Sequence, residues 1–296
     1  MSTEYGYCIA DVFTRAPFGG NQLAVLPDAR GLSDRRMQDV AKEFGFSETT
    51  FVFPPDDPRN TRKVRIFTPA SELPFAGHPT VGTASVLATQ GHVDVTRTGG
   101  TLILEEEVGP ISVEVDGAFS RFTTTAPFES PGSGPSPEAV ATALSLPEED
   151  IVGCWYGSVG LRFCYVRLKS RESVDRAVLN RAGWSAGIAG GWSPHLYVFA
   201  VESRDQDHIY ARSFVPALGV EEDPATGSAA AGLAAGLARR RAGVHTALSL
   251  RIHQGVRMGR PSVIEATAHI RDGRLQRVSV GGFTTVVARG VLTLPS

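Results

Sequence analysis

His78-Pro79-Thr80-Val81-Gly82-Thr83-Ala84 reads HPTVGTA, and half a chain later Asp223-Pro224-Ala225-Thr226-Gly227-Ser228-Ala229 reads DPATGSA. Each follows an Arg-x-Phe-x-Pro run, Arg65 to Pro69 and Arg212 to Pro216, and each leads into a stretch of small residues. Two such blocks in a chain of 296 residues read as a duplicated unit. The copies differ where chemistry lies: the residue before the proline is His in one and Asp in the other. A shared scaffold with different ionisable groups at equivalent points predicts one active site built between two half-molecules.

The stretches around the motifs predict the architecture. Thr80 to Ala88 and Ala225 to Ala238 are almost free of charge and of large side chains. A surface helix carries a polar face, and these do not, so each is expected to be enclosed by strands that approach its backbone closely. Pro79 suits the first turn of a helix reaching about Gln90, and Asp223-Pro224 opens one reaching about Arg241. Around the first helix, Tyr5 to Phe13, Gln22 to Leu26, Phe46 to Phe53, Lys63 to Phe67, Gly100 to Glu106 and Ile111 to Asp116 read as strands, with a turn at Gly109-Pro110. Ser33 caps a helix that carries Met37, Val40, Ala41 and Phe44 on one face and stops at Gly45.

The stretch Ala126 to Pro137 reads as a linker. A second series follows: a helix over Pro137 to Leu144, then strands over Arg162 to Leu168, Leu196 to Val201 and Ile209 to Phe214. After the second motif helix come strands at Leu248 to Gln254, Ser262 to Ala268, Leu275 to Gly281 and Thr284 to Ala288. The expected fold is α/β (α+β): two pseudo-symmetric domains, each a β-barrel-like sheet wrapped around a central helix. The expected halves are 1–125 and 126–282.

Composition narrows the function classes. Charged residues make up 20% of the chain, and its formal net charge is −2. No basic face stands out, so nucleic acid is not an expected partner. Cys8, Cys154 and Cys164 are odd in number and lack CxxC spacing, which reads as reduced thiols of a cytoplasmic protein. No apolar stretch has the length of a membrane span. The chain lacks GxGxxG and GxxxxGK[ST] patterns, HExxH and paired Cys/His spacing, so no nucleotide, cofactor or metal is expected.

Three ionisable residues are candidates for chemistry. A helix start offers unpaired N–H groups and partial positive charge to a carboxylate. Gly77, Gly227 and Ser228 would let a small anion approach such groups. Asp223 has two open readings, a helix cap or a functional acid. His78 is a poorer cap, and the helix dipole disfavours its protonated form, so structural and functional readings stay level. Glu48, in an apolar and hydroxylic run, is either a solvent-facing strand residue or a buried general acid/base.

These residues together resemble the phenazine-biosynthesis PhzF-like family, of the diaminopimelate-epimerase-like fold. The resemblance rests on FGGNQLAV at Phe18 to Val25, SETTF around Glu48, FAGHPTVGTA at Phe75 to Ala84 and EDPATGSA at Glu222 to Ala229, in order along the whole chain. It implies two similar domains with the site in the cleft between them, the first completed by the C-terminal strand at 283–296, and a homodimer. It also implies Glu48 as the proton-moving acid/base, His78 and Asp223 as polar partners, and Gly77, Gly227 and Ser228 as binders of a substrate carboxylate. The family's namesake isomerase shifts a proton in a dihydro-hydroxyanthranilate, so the implied activity is cofactor-independent isomerisation of a small carboxylate, cyclic or unsaturated. Racemases of this fold use one thiol per half, and here all three thiols lie outside the two motifs. Two rivals remain: a two-base epimerase using Glu48 with His78 or Asp223, and a non-catalytic anion-binding protein.

Overall fold

A computed structural model describes residues 2–202, 207–241 and 245–295. The chain forms two compact units, residues 1–123 with 281–296, and residues 124–280. The first contains β1 (Ser2–Val12), β2 (Asn21–Leu26), α1 (Asp34–Phe44), β3 (Glu48–Phe53), β4 (Arg62–Phe67), β5 (Glu72–Leu73), α2 (Gly77–Thr89), β6 (Thr101–Glu106), β7 (Gly109–Asp116) and β8 (Phe119–Thr124). The second contains α3 (Pro137–Leu144), β9 (Ile151–Val159), β10 (Leu161–Leu168), α4 (Arg171–Arg176), α5 (Arg181–Gly187), β11 (Leu196–Val201), β12 (His208–Val215), β13 (Val220–Asp223), α6 (Gly227–Arg240), β14 (His245–Gln254) and β15 (Ser262–Arg271). The last strand, β16, runs from Arg274 to Pro295.

In the first unit the strands form a closed ring, β1-β2-β3-β4-β6-β7-β8-β16, because β16 also pairs with β1. Closure removes free sheet edges and leaves a small interior that side chains and one helix can fill. That helix is α2, buried continuously from Gly77 to Leu87. Its Val81, Val86 and Leu87 are fully inaccessible, and each contributes about 1.5–3 kcal/mol by leaving water. Gly82 permits the close approach, since a Cβ there would lie 2.6 Å from both Val12 and Leu23. Thr83 meets Thr50 of β3 through a 2.8 Å hydroxyl pair. Against the outside of the barrel α1 buries Met37, Val40 and Ala41, with Ser33 capping its start and Gly45 at φ 65° ending it.

The second unit carries a sheet in the order β16-β15-β14-β12-β11-β10-β9, with β13 paired to β12. Helix α6 is buried along nearly its whole length and packs on β9, β10, β14 and β15. Its Gly232 faces Tyr165, whose hydroxyl donates to the Ala229 carbonyl at 3.0 Å. The fold is thus mixed α+β with few helices and a closed eight-strand barrel.

Three local expectations need correction. The stretch expected as a linker is packed structure: Glu129 bridges Ser158, Ser130 Oγ donates to the Tyr156 carbonyl at 2.8 Å, and Gly134 lies against Cys154 and Trp155. The turn expected at Gly109-Pro110 falls at Glu107-Val108, and Gly109 already pairs with Glu106. Strands β8 and β9 were not anticipated. In β8, inward Ser120 and outward Arg121 mask the alternation, and in β9 Gly153 and Gly157 lower strand propensity. Among the described residues, no helix is long and apolar enough to cross a membrane.

Candidate functional site

Glu48 opens β3, its backbone paired in parallel with Leu23 of β2. This register brings it to the start of α2, where its Oε2 lies 3.4 Å from Nε2 of His78. The alignment falls short of a hydrogen bond. The Glu48 side chain keeps 15% of its surface accessible and that of His78 only 5%. On the far side of the ring, Nδ1 of His78 stands 3.3 Å from the amide nitrogen of Asn21, itself buried. Burial holds the His78 pKa down at about 3, opposed in part by a hydrogen bond with the Gln22 backbone. His78 is therefore neutral at physiological pH.

Asn21 owes its position to the glycine before it. Gly20 has φ 63°, and a side chain there would strike the Val12 carbonyl. The FGGNQ run reads as a tight turn in the sequence; the turn also delivers an amide to the histidine.

The structure relocates His78. It was expected to precede a helix beginning at Pro79, yet α2 begins at Gly77 and its N-cap is Ala76, with no side-chain cap. His78 is the second helical residue. The cause is the Thr80 N–H, which reaches the Ala76 carbonyl at 3.2 Å and draws in the preceding turn. Pro79, with no N–H to satisfy, fits within that turn.

The same turn holds a carboxyl that the sequence did not single out. Glu106, at the end of β6, is buried, and its Oε1 accepts from the Thr80 hydroxyl at 2.6 Å. Its Oε2 has no hydrogen-bond partner. Burial raises its pKa to about 8, against the opposing effect of the Thr80 hydrogen bond.

In the second unit Asp223 is not a helix cap. It ends β13, paired with Ser213 of β12, while α6 begins at Gly227 with Thr226 as its N-cap. Thr226 makes no capping bond, because its hydroxyl donates to Oδ2 of Asp223 at 2.5 Å. Gly227 and Ser228 are the first two residues of α6, where backbone N–H groups have no partner one turn back. Gln254, at the end of β14 and fully buried, donates to the Asp223 carbonyl at 2.8 Å and to Thr226 Oγ1 at 2.9 Å.

The structure therefore gathers Glu48, His78 and Gly77 at the start of α2, joined by Asn21. It gathers Asp223, Gly227 and Ser228 at the start of α6, joined by Thr226 and Gln254. A glutamine 31 residues after Asp223 carries no signal of its own, since buried amides look like surface ones in a sequence. The thiols stand apart. Cys8 and Cys164 are buried, Cys154 donates to the Pro135 carbonyl at 3.1 Å, and burial raises all three pKa values. Among the described residues, no three His, Cys, Asp or Glu side chains form a metal-holding group.

Residues 10–290 match the family model described as phenazine biosynthesis-like protein. An uncharacterised isomerase of Mesorhizobium japonicum is 37% identical, over 97% of this chain and 98% of its own length. A trans-2,3-dihydro-3-hydroxyanthranilate isomerase of Pseudomonas chlororaphis is 35% identical over 97% of this chain and 99% of its own. A crystal structure of a Bacillus anthracis phenazine biosynthesis protein of the PhzF family superposes with a TM-score of 0.86 at 25% identity. That superposition covers 98% of this chain and 99% of the other.

Proposed function

This chain belongs to the phenazine biosynthesis-like (PhzF) family, and from that premise we propose that it is an isomerase in which Glu48 moves a proton on a small carboxylate-bearing substrate. The observation that carries the proposal is the pairing of Glu48 with a neutral, buried His78 at 3.4 Å. A carboxylate that keeps some accessible surface can reach a ligand, and the neutral imidazole beside it can donate without adding charge. Glu48 takes a proton from carbon, and the same carboxylic acid returns it at a second position on the same face. His78 and Asp223 orient the polar groups of the substrate. The backbone N–H groups at Gly77, Gly227 and Ser228, with the Ser228 hydroxyl, receive its carboxylate.

A carboxylate is a weak base, so the carbanion must be delocalised, which favours a ring or conjugated double bond. Relatives named trans-2,3-dihydro-3-hydroxyanthranilate isomerase point to that compound as the first probe. Thiols whose pKa is raised by burial do not support a thiol-pair racemase. The decisive variant is Glu48→Gln, assayed with trans-2,3-dihydro-3-hydroxyanthranilate in deuterated water. Turnover should fall by at least about a thousandfold and label uptake should vanish, with binding changed only a few-fold. Retention of turnover within about tenfold of the parent would remove Glu48 from the reaction.

A further inference from the structure

The Gln254 amide has a fixed orientation. Its Oε1 faces the Thr226 N–H at 3.3 Å and the Tyr197 hydroxyl at 3.0 Å, while its Nε2 faces the Asp223 carbonyl at 2.8 Å. A backbone N–H only donates and a carbonyl only accepts, so rotating the amide would break both contacts. The second Nε2 proton then goes to Thr226 Oγ1, at 2.9 Å. A hydroxyl that accepts from an amide has one proton of its own to give. The 2.5 Å contact to Asp223 Oδ2 receives it. Direction thus passes from amide to hydroxyl to carboxylate, within a buried cluster.

We propose that Gln254, acting through the Thr226 hydroxyl, is a positioning residue that fixes Oδ2 of Asp223 as a hydrogen-bond acceptor. The inference rests on the reading of Asp223 as a site residue and adds to it a direction. The Thr226 hydroxyl thereby holds the carboxylate against rotation. Two further groups bear on its charge. Tyr197 of β11 is fully buried and has its pKa pushed up, first by burial and then by Asp223, so it stays neutral across the working range. Glu222, the preceding residue, is held by both arms of the Arg212 fork at 2.8 Å.

The test is independent of turnover. In protein labelled with carboxyl-13C aspartate, the Asp223 resonance is identified by its absence in Asp223→Asn and then titrated. Thr226→Val keeps the shape and removes the donor, so the Asp223 midpoint should rise by about one pH unit, and Thr226→Ser should restore it. A midpoint unmoved by valine, or not restored by serine, overturns the donor chain. Should the valine variant fail to fold, the parent protein decides. Its Thr226 hydroxyl proton should be visible at neutral pH as a slowly exchanging resonance, and rapid exchange overturns the proposal. Assaying Asp223→Asn with trans-2,3-dihydro-3-hydroxyanthranilate separates the two readings. Full activity there sinks the catalytic reading while a shifted Thr226→Val midpoint still supports the chain; lost activity with an unmoved midpoint sinks the chain alone.

Discussion

The two motif copies share a sequence pattern but not a local structure. In the first, the helix has advanced over the motif: His78 sits inside the opening turn of α2, and the Thr80 hydroxyl lies within hydrogen-bond reach of both the Ala76 carbonyl and Glu106 Oε1. In the second, the helix starts four residues after the acid, and the Thr226 hydroxyl donates to Asp223 of the same motif. Each copy therefore ties a threonine to a carboxyl group. In one the carboxyl is imported from a neighbouring strand and buried, and in the other it belongs to the motif. A neutral imidazole tolerates enclosure, whereas a carboxylate needs donors around it.

The harshest way to break that comparison is to make the copies alike. His78→Asp places a second carboxylate within about 4 Å of Glu48, without the threonine donor that serves Asp223. We expect loss of turnover and a fall in stability at pH 7 of about 3–5 kcal/mol, measured by urea unfolding, because an uncompensated charge is buried. The deficit should shrink below pH 5 as one of the pair protonates. A stable, active variant would mean that the two positions are interchangeable.

This asymmetry also marks how far the sequence could be read. The small-residue helices, the Ser33 cap, the Gly45 stop and the alternation of β6 and β7 carry local signals, and the fold class follows from them. The candidate residues Glu48 and His78 were visible through their motifs, and the structure sets them side by side. What stayed hidden were the partners supplied by other strands. Glu106 lies among Glu105 and Glu107 and resembles a solvated acidic run, yet strand alternation turns it inward. Asn21 looked like a turn residue, and Gln254 like any polar strand end. The 22-residue β16 was divided in two because Gly281-Gly282 reads as a break. At Gly281 the absent side chain instead makes room for the Ser120 carbonyl.

Glu106 sharpens the comparison from the other side, since its ionisation should strain the first copy only. Its folded pKa, about 8, lies above the 4.5 of an ordinary glutamate. The unfolded chain releases this proton first, so the associated stability is present in full below about pH 4.5 and is lost as the pH rises to 8. Glu106→Gln keeps an acceptor for Thr80 and removes the proton. The variant should match the parent within about 1 kcal/mol at pH 4.5 and exceed it by about 5 kcal/mol at pH 9, at roughly 1.4 kcal/mol per pH unit between the two pKa values. Denaturant midpoints at the two pH values decide it; parallel pH dependence in parent and variant would show that Glu106 ionises freely.

The smallest difference lies in the arginine that precedes each motif. Arg65 forks onto Glu72 at 2.7 and 2.6 Å and also reaches Asp34, with 24% of its side chain exposed. Arg212 forks onto Glu222 and turns its remaining nitrogen to the carbonyls of Val174 and Ala177, at 3.1 and 2.7 Å, with 10% exposed. The first mainly joins charges near solvent, whereas the second also closes the end of α4, where the Val174 carbonyl accepts from the Ala177 N–H as well. Lysine supplies a point charge but neither the fork nor the additional donors. Arg212→Lys should therefore lower stability by about 2 kcal/mol, and Arg65→Lys by no more than about 1 kcal/mol. Equal losses in thermal unfolding would place the two arginines in one structural role, leaving the threonine partners as the difference between the copies.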